Sequence, residues 1–235
     1  EYHGIKFYFV DNEYYFKCHT PYSNDLKWDI ERFTFFCKAV LAILPVINFK
    51  PDIIHCHDWQ AGLIPVFLKS TFASNPFYSS TKSIMTIHNL RFQGIWDIDT
   101  FKFNTALPDY MFTPDKLEFQ HAASMLKGGL VYADYITTVS ETYAEEIKYP
   151  FYGENLDGLL RARTMSLRGI LNGIDYNLFN PETDEQIYRK YSVKNFKSGK
   201  AENKASLQKE LRLPVDKKKF MIAIISRLTD QKGLD

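Results

Sequence analysis

The amino-acid sequence predicts an α/β protein built on a parallel sheet with helices on both faces. Short apolar runs alternate with longer amphipathic stretches, which is the pattern of strands joined by crossover helices. Clusters of polar and charged residues follow directly after several of the apolar runs. Ligands of open parallel sheets bind beyond the carboxyl ends of the strands, so this placement also predicts a functional site.

Each element is predicted from its own pattern. Apolar runs predict strands over residues 5–10, 52–57, 83–88, 135–139, 168–171 and 219–225. Helical spacing predicts helices over residues 29–44, 60–70, 113–132, 140–148 and 201–211. Pro45 ends the first helix, Pro65 kinks or shortens the second, and the Ser140 hydroxyl caps another. The polar stretch 180–204 is either a crossing segment between two α/β units or a solvated helical insertion.

Composition excludes several classes of function. Lys and Arg number 29 against 28 Asp and Glu, and the basic run at 217–219 lacks interleaved aromatics, so no nucleic-acid partner is expected. No apolar run reaches the roughly 20 residues that span a bilayer, so no membrane partner is expected. Three scattered cysteines favour a reducing compartment over a disulfide framework. The glycine-rich motifs of Walker-type NTPases and dinucleotide oxidoreductases do not occur.

The first polar cluster is His55, His57 and Asp58, at the end of the strand predicted over residues 52–57. Strand alternation puts both histidines on one face, with Asp58 just beyond the strand. Asp58 is suited to bind a sugar hydroxyl or to stabilise positive charge, with His57 as a donor. Two other interpretations stay open: a His-x-His pair can begin a zinc site, and Asp58 can cap a helix whose Trp59 enters the core.

Two further strand ends carry uncharged polar groups. His88 and Asn89 offer donors and acceptors that suit hydroxyl recognition, and Gly94 allows a tight turn after them. A structural histidine is the ordinary alternative. Asn172 begins the sequence Asn-Gly-Ile-Asp, which is a turn signal first and a candidate ligand contact second.

The third cluster, residues 226–233, follows the last predicted strand and leads toward a predicted helix start. A helix N-terminus favours an anion. Arg227 can bind phosphate oxygens with two parallel hydrogen bonds, and Lys232 adds a point charge. The sequence therefore predicts a phosphate-binding segment, with a solvated loop as the alternative.

Six collinear segments together resemble the family of bacterial glycogen synthases and plant starch synthases. They are PDIIHCHDWQAGLIPVFLK, TIHNLRFQG, MLKGGLVYADYITTVSETYAEEI, LDGLLRAR, GILNGIDYNLFNPETD and ISRLTDQKGLD. The resemblance implies a GT-B glycosyltransferase with two Rossmann-like domains. Such an enzyme transfers glucose from ADP-glucose, or alternatively UDP-glucose, to the non-reducing end of an α-1,4-glucan and retains the anomeric configuration. It needs no metal or other cofactor, and it is cytoplasmic in bacteria and plastidic in plants.

The same resemblance assigns residue roles. Asp58 and His88 are the expected catalytic residues on the glucose side of the cleft, and Arg227 and Lys232 are expected to hold the donor diphosphate. Substrate contacts are expected from the residues His57, Asn89, Asn172, Gln231 and Gly233.

The sequence departs from the family pattern at Cys18, where the family has Arg, and at Ser23 and Asn155, where it has Gly. The family's Lys-Thr-Gly-Gly-Leu loop and most of its second domain are missing, so a fragment that turns over poorly by itself is expected. The expected domains are residues 1–175 on the acceptor side, 176–214 as a crossing segment, and 215–235 as the start of the nucleotide-sugar domain.

Two other functions stay open. The chain could be a catalytically inactive fragment that at most binds glucan. It could also be a metal-dependent hydrolase with His55, His57 and His88 as ligands, although that leaves the segment 226–233 without a role.

Overall fold

A computed structural model of the protein describes residues 1–18, 20–229 and 232–233. The chain divides into two compact units, Glu1–Asn172 and Gly173–Asp235. No helix in the described ranges is long and apolar enough to cross a membrane.

The helices and strands alternate through the first unit. In the described residues the strands are β1 (Ile53–His57), β2 (Lys82–Ile87), β3 (Ile95–Trp96), β4 (Glu118–Phe119), β5 (Ala122–Ser124), β6 (Tyr135–Thr138) and β7 (Leu167–Gly169). The α-helices are α1 (Glu13–Phe16), α2 (Leu26–Val46), α3 (Leu63–Lys69), α4 (Ile98–Thr105), α5 (Met125–Tyr132), α6 (Glu141–Glu146), α7 (Asp157–Ala162) and, in the second unit, α8 (Phe196–Glu210).

A four-stranded parallel sheet in the order β1-β2-β6-β7 forms the centre of the first unit, which confirms the predicted α/β class. Cys56 lies opposite Met85 in the β1–β2 ladder, and Met85 lies opposite Ile136 in the β2–β6 ladder. All three side chains are buried and belong to one core cluster. The opposite face is more open, and Ile53 and Tyr135 are exposed on it.

The strand order explains why one face is covered. The four strands follow one another across the sheet in chain order, and parallel connections are right-handed, so all the crossovers fall on the same face. Among the described residues, the helices that connect these strands therefore lie on one face of the sheet.

The helix predicted over residues 113–132 is wrong in its first half. Residues 118–124 instead form β4 and β5, which complete a small antiparallel sheet with β3. Gln120 and His121 join them with φ angles of 51° and 67°, which no helix contains. The helix α5 starts only at Met125, because the Ser124 hydroxyl accepts a hydrogen bond from the Lys127 N–H.

Two predicted strands do not form among the described residues. Residues 5–10 and 219–225 are largely exposed, with Phe9 84% and Ile225 97% accessible. Neither segment is part of a sheet. An apolar run becomes a strand only where a neighbour pairs with its backbone N–H and C=O groups, and among the described residues the run 5–10 has only the isolated bridge between Ile5 and Tyr2.

The prolines act differently from the sequence-based expectation. Pro45 lies inside the last turn of α2 rather than ending it. The stretch predicted as one helix over residues 60–70 is a 3₁₀ turn, Trp59–Ala61, followed by α3, and Pro65 lies in the first turn of α3. A proline is tolerated there because the missing N–H has no partner within the helix. In the polar stretch 180–204, turns precede α8, so helix forms only in its last part.

Candidate active site

Asp58 connects the carboxyl ends of β1 and β2. Its N–H donates to the Thr86 carbonyl at 2.9 Å, and its Oδ1 accepts from the His88 N–H at 2.8 Å. No hydrogen bond runs from its side chain to the 3₁₀ turn that follows, so the interpretation of Asp58 as a helix cap is wrong. The carboxylate instead fixes the start of the loop after β2.

The backbone of Asp58 is strained. Its φ of 54° and ψ of −175° lie near a region that is used almost only by glycine. A non-glycine residue in such a region costs about 1–3 kcal/mol and persists only where its surroundings hold it, most often at a functional site. The two hydrogen bonds to Thr86 and His88 are the groups that hold Asp58 here.

Trp59 and Gly94 pack against each other beneath this loop. Trp59 is only 6% exposed, and its ring meets that of Phe33 edge-on with centroids 5.2 Å apart. A Cβ on Gly94, whose φ is 61°, would lie 2.4 Å from Cε3 of Trp59. The loop after β2 can therefore approach the indole only with glycine at this position, and Trp59 is a core residue.

Three histidines line the exposed side of the same edge. Nδ1 of His57 lies 3.0 Å from Nε2 of His88, and the ring centroids of His55 and His57 are 4.3 Å apart. Nε2 of His55 lies 2.6 Å from the hydroxyl of Thr86, which in turn lies 2.6 Å from the hydroxyl of Thr137. Thr86 and Thr137 were not identified from the sequence, although their alternation with buried residues on β2 and β6 places them on this face.

The environment favours neutral imidazoles. Burial lowers the pKa of His55 below its usual value, and the neighbouring His88 lowers it further. Burial also lowers the pKa of His57, with His55 and His88 acting in the same direction and Asp58 against them. Near pH 7 these two rings therefore serve as hydrogen-bond donors and acceptors rather than as fixed cations.

The geometry gives no support to the metal-hydrolase alternative. Within the described ranges, no group of three or more His, Cys, Asp or Glu side chains is arranged to hold a metal ion. In His55, one of the two ring nitrogens that could bind a metal, Nε2, is hydrogen-bonded to Thr86.

The remaining residues of the loop after β2 are fixed by the loop's own turn, by one helix and by a distant turn. Oδ1 of Asn89 accepts from the Arg91 N–H at 3.0 Å, which stabilises the loop's own turn. The hydroxyl of Tyr143, on α6, accepts from the Leu90 N–H at 3.2 Å. Gln93, 5% exposed, donates from Nε2 to the Glu154 carbonyl at 3.0 Å. Sequence reasoning missed Tyr143, although α6 begins directly after β6 and its first turn must therefore lie at the carboxyl edge.

The structure brings together four of the predicted site residues: Asp58, His88, His57 and Asn89. Asn172 is exposed at the end of the first unit, three residues after β7.

The predicted phosphate-binding residues belong to the second unit. Arg227 and Lys232 are exposed. The Lys232 N–H donates to the Thr229 carbonyl at 2.9 Å, and Gly233 has a φ of 63°. Gln231 lies outside the described residues.

Comparison with known proteins identifies one family. A family model described as the starch synthase catalytic domain matches residues 1–162. The glycogen synthase of Lachnospira eligens is 62% identical over the whole chain, and that of Lachnoclostridium phytofermentans is 59% identical over the whole chain. The chain covers 49% of each of these two proteins, and thus spans about half the length of the curated relatives it matches.

A solved structure agrees with these sequence matches. The catalytic domain of starch synthase IV from Arabidopsis thaliana, bound to ADP and acarbose, superposes with a TM-score of 0.69 and 33% sequence identity. The match covers 78% of this chain and 37% of the plant chain.

Proposed function

The chain belongs to the starch synthase catalytic domain family, and on that premise we propose that it forms the acceptor-side half of an α-1,4-glucan synthase. That enzyme transfers glucose from a nucleotide-glucose donor to the non-reducing end of the glucan and retains the anomeric configuration. The observation that carries the proposal is the Asp58–His88 pair, joined across the carboxyl ends of β1 and β2 within two of the family's sequence segments.

Asp58 and His88 have the chemistry that the glucose side of such a site needs. Oδ1 of Asp58 is occupied by the His88 N–H, and Oδ2 has no hydrogen-bond partner among the described residues. A carboxylate oxygen in this position can accept from a sugar hydroxyl and can stabilise the positive charge of an oxocarbenium-like transition state. The His88 ring and the Asn89 amide add hydroxyl contacts beside it, and Asn172 is proposed as a further contact.

Arg227 and Lys232 are proposed to bind the donor diphosphate, with Gln231 and Gly233 in the same segment. Negative charge builds on the leaving phosphate as the glycosidic bond to the nucleotide breaks. Cations placed there in advance stabilise that charge, and the loss of one such group typically lowers kcat about 10²–10³-fold.

ADP-glucose is the proposed donor, and UDP-glucose is the alternative outcome of the donor test. The proposal is supported by the ADP found in the starch synthase IV structure. The bacterial glycogen synthases among the relatives favour a cytoplasmic enzyme over a plastidic one.

The test is a transfer assay on a complete synthase that contains this chain, with radiolabelled ADP-glucose or UDP-glucose and glycogen. Asp58→Ala, Arg227→Ala and Lys232→Ala are each expected to lower incorporation about 10²–10³-fold. Lys217→Ala is the matched control, because Lys217 is another exposed cation of the second unit outside the cluster.

Three outcomes separate the alternatives. Unchanged incorporation in both Arg227→Ala and Lys232→Ala would contradict the diphosphate assignment. Release of free glucose without incorporation, abolished by a chelator, would favour the metal hydrolase. If the complete synthase binds glucan but incorporates glucose from neither donor, the result would support the alternative of an inactive glucan-binding protein.

A further inference from the structure

The three histidine rings at the carboxyl edge form an ordered group with His57 in the middle. His55 and His57 lie on the same face of β1, and His88 follows two residues after Thr86, the ladder partner of His57. The centroid of the His57 ring lies 4.3 Å from that of His55 and 5.2 Å from that of His88.

His88 is fixed at two points. Its backbone N–H donates to Asp58 at 2.8 Å, and its Nε2 lies 3.0 Å from Nδ1 of His57. Among the described residues, Nδ1 of His88 makes no hydrogen bond. It is therefore the ring atom that His88 can offer to a ligand.

The two hydrogen-bonded rings must share one proton. A hydrogen bond between two ring nitrogens needs one protonated and one bare nitrogen. Two imidazolium ions cannot form this bond, because both facing nitrogens would carry a proton, so at least one of the two rings is neutral when the bond forms. Because the tautomer of a histidine is set by the bond that one nitrogen makes, His57 decides whether Nδ1 of His88 donates or accepts.

The surroundings keep His57 in this position. His55 lies against it with the rings tilted by 33°, and His55 is itself held by Thr86. Thr86 is held by Thr137 on the next strand. The charged and titratable groups that face His57 are His55, His88 and Asp58, and their combined effect with burial lowers the pKa of His57.

We propose that His57 is a positioning residue rather than a sugar ligand: it fixes the ring and the tautomer of His88, so that Nδ1 of His88 meets a substrate hydroxyl in one defined protonation state. This inference rests on the proposed role of His88 in glucosyl transfer. It replaces the sequence-based assignment of His57 to direct substrate contact.

The first test reads the tautomer of His88 directly, without any activity. In the 235-residue chain with ¹⁵N-labelled histidine, measured at an alkaline pH at which histidine side chains have lost their second proton, the ring nitrogens of His88 are expected to show one fixed tautomer, with one nitrogen protonated and one bare. His57→Asn is expected to keep that state, because an amide can occupy the place of Nδ1. His57→Ala is expected to average the two nitrogens, as in a free histidine, whereas the control His3→Ala leaves them unchanged. An averaged signal in the unmodified chain, or an unchanged signal in His57→Ala, would overturn the inference.

The second test uses the complete synthase. His57→Ala is expected to lower kcat by up to about 100-fold, the cost of a misplaced catalytic group, while the KM values for donor and glucan stay within about threefold. His57→Asn is expected to recover most of kcat. A raised KM with an unchanged kcat would show that His57 contacts substrate and would overturn the inference. A synthase without transfer activity would refute the proposed function alone, since the tautomer measurement does not depend on it.

Discussion

Two polar segments of this chain follow apolar runs, one in each unit, and they differ in how they are held. In the first unit, Asp58 and His88 follow β1 and β2, which pair with each other over five residues of each strand. In the second unit, Arg227 follows residues 219–225, which are exposed and belong to no sheet among the described residues.

The difference shows that preorganisation comes from the partner strand and not from the polar motif itself. Asp58 keeps a strained backbone because groups on and after β2 hold its N–H and its carboxylate. Arg227 and Lys232 have the charges that a phosphate needs, yet their side chains are exposed and make no comparable hydrogen bonds with the described residues. Substitutions in the first segment are therefore expected to change stability, and substitutions in the second to change activity alone.

The largest expected effect concerns thiol reactivity beside the site. Cys56 lies between His55 and His57 on the buried face of β1, and burial raises its pKa to about 12. Burial also raises the pKa of Cys37, whereas Cys18 is exposed. Because the thiolate is the reactive form and buried thiols need an opening of about 4 kcal/mol, we expect Cys37 and Cys56 to react about 1,000-fold more slowly than Cys18.

A chromogenic disulfide reagent measures this directly. One rapid thiol is expected in the native chain, and Cys18→Ser should remove that phase without changing the slow one. A rapid thiol that remains in Cys18→Ser and disappears when Cys56→Ser is added would show that the carboxyl end of β1 opens readily, and the contrast between the two segments would then be lost.

A smaller effect is expected from glycine substitutions in the two units. Gly94→Ala forces a Cβ to 2.4 Å from Trp59 and places alanine at a φ of 61°, so we expect a loss of about 3 kcal/mol in the free energy of unfolding. Gly173→Ala, in the second unit, meets no atom within 4 Å and is expected to change it by less than about 0.5 kcal/mol. Urea unfolding followed by far-UV circular dichroism measures both variants. Equal losses of stability would contradict the inference that close packing makes Gly94 less tolerant of a side chain than Gly173.

The strain at Asp58 is expected to give two substitutions at this position free energies of unfolding that differ by about 1 kcal/mol. Asp58→Gly and Asp58→Ala both lose the hydrogen bond to the His88 N–H, but only glycine adopts the backbone angles without cost. We therefore expect Asp58→Gly to be more stable than Asp58→Ala by about 1 kcal/mol in urea unfolding. Arg227→Gly and Arg227→Ala are the matched pair in the second unit. Arg227 is exposed and its φ is not positive, so glycine is not expected to be the more stable of these two variants.

Much of the fold follows from local sequence patterns, because β1 and β6 fall within the predicted apolar runs, and β2 and β7 overlap the runs predicted over residues 83–88 and 168–171. Their parallel arrangement also predicts that Asp58 and His88 lie at the same edge. Pattern reasoning failed over residues 118–124, where two residues with positive φ interrupt an apparently helical sequence. It also failed at 219–225, because pairing depends on a partner far away in the chain rather than on the run itself.

The fine geometry of the candidate site was beyond sequence reasoning for a related reason. The positive φ of Asp58 carries no signal in the sequence, since aspartate usually adopts ordinary backbone angles. The His57–His88 and Thr86–Thr137 contacts depend on the register between strands, which the ladders reveal and the sequence does not. The roles of these residues in glucosyl transfer stay predictions until the assays above are made.

The smallest expected effect is a pH dependence of stability confined to the first unit. The pKa values of His55 and His57 are lowered in the folded chain, so the unfolded chain binds protons first as the pH falls below about 6.5. The contribution of the two histidines to stability is thus complete well above pH 6.5, and it declines as the pH falls toward the lowered pKa values, because a lower pH stabilises the unfolded state, which binds more protons. The decline is small, since both rings are exposed at the surface of the sheet.

Urea midpoints at several values between pH 7.5 and pH 5 measure this decline. The double variant His55→Gln, His57→Asn is expected to flatten the profile, because it removes the two groups that resist protonation but keeps polar side chains in place. His3→Ala is the control, and its profile should follow that of the unmodified chain. An unchanged slope in the double variant would mean that the fold does not hold His55 and His57 in their neutral form. The first segment would then differ from the second in its backbone contacts but not in its electrostatics.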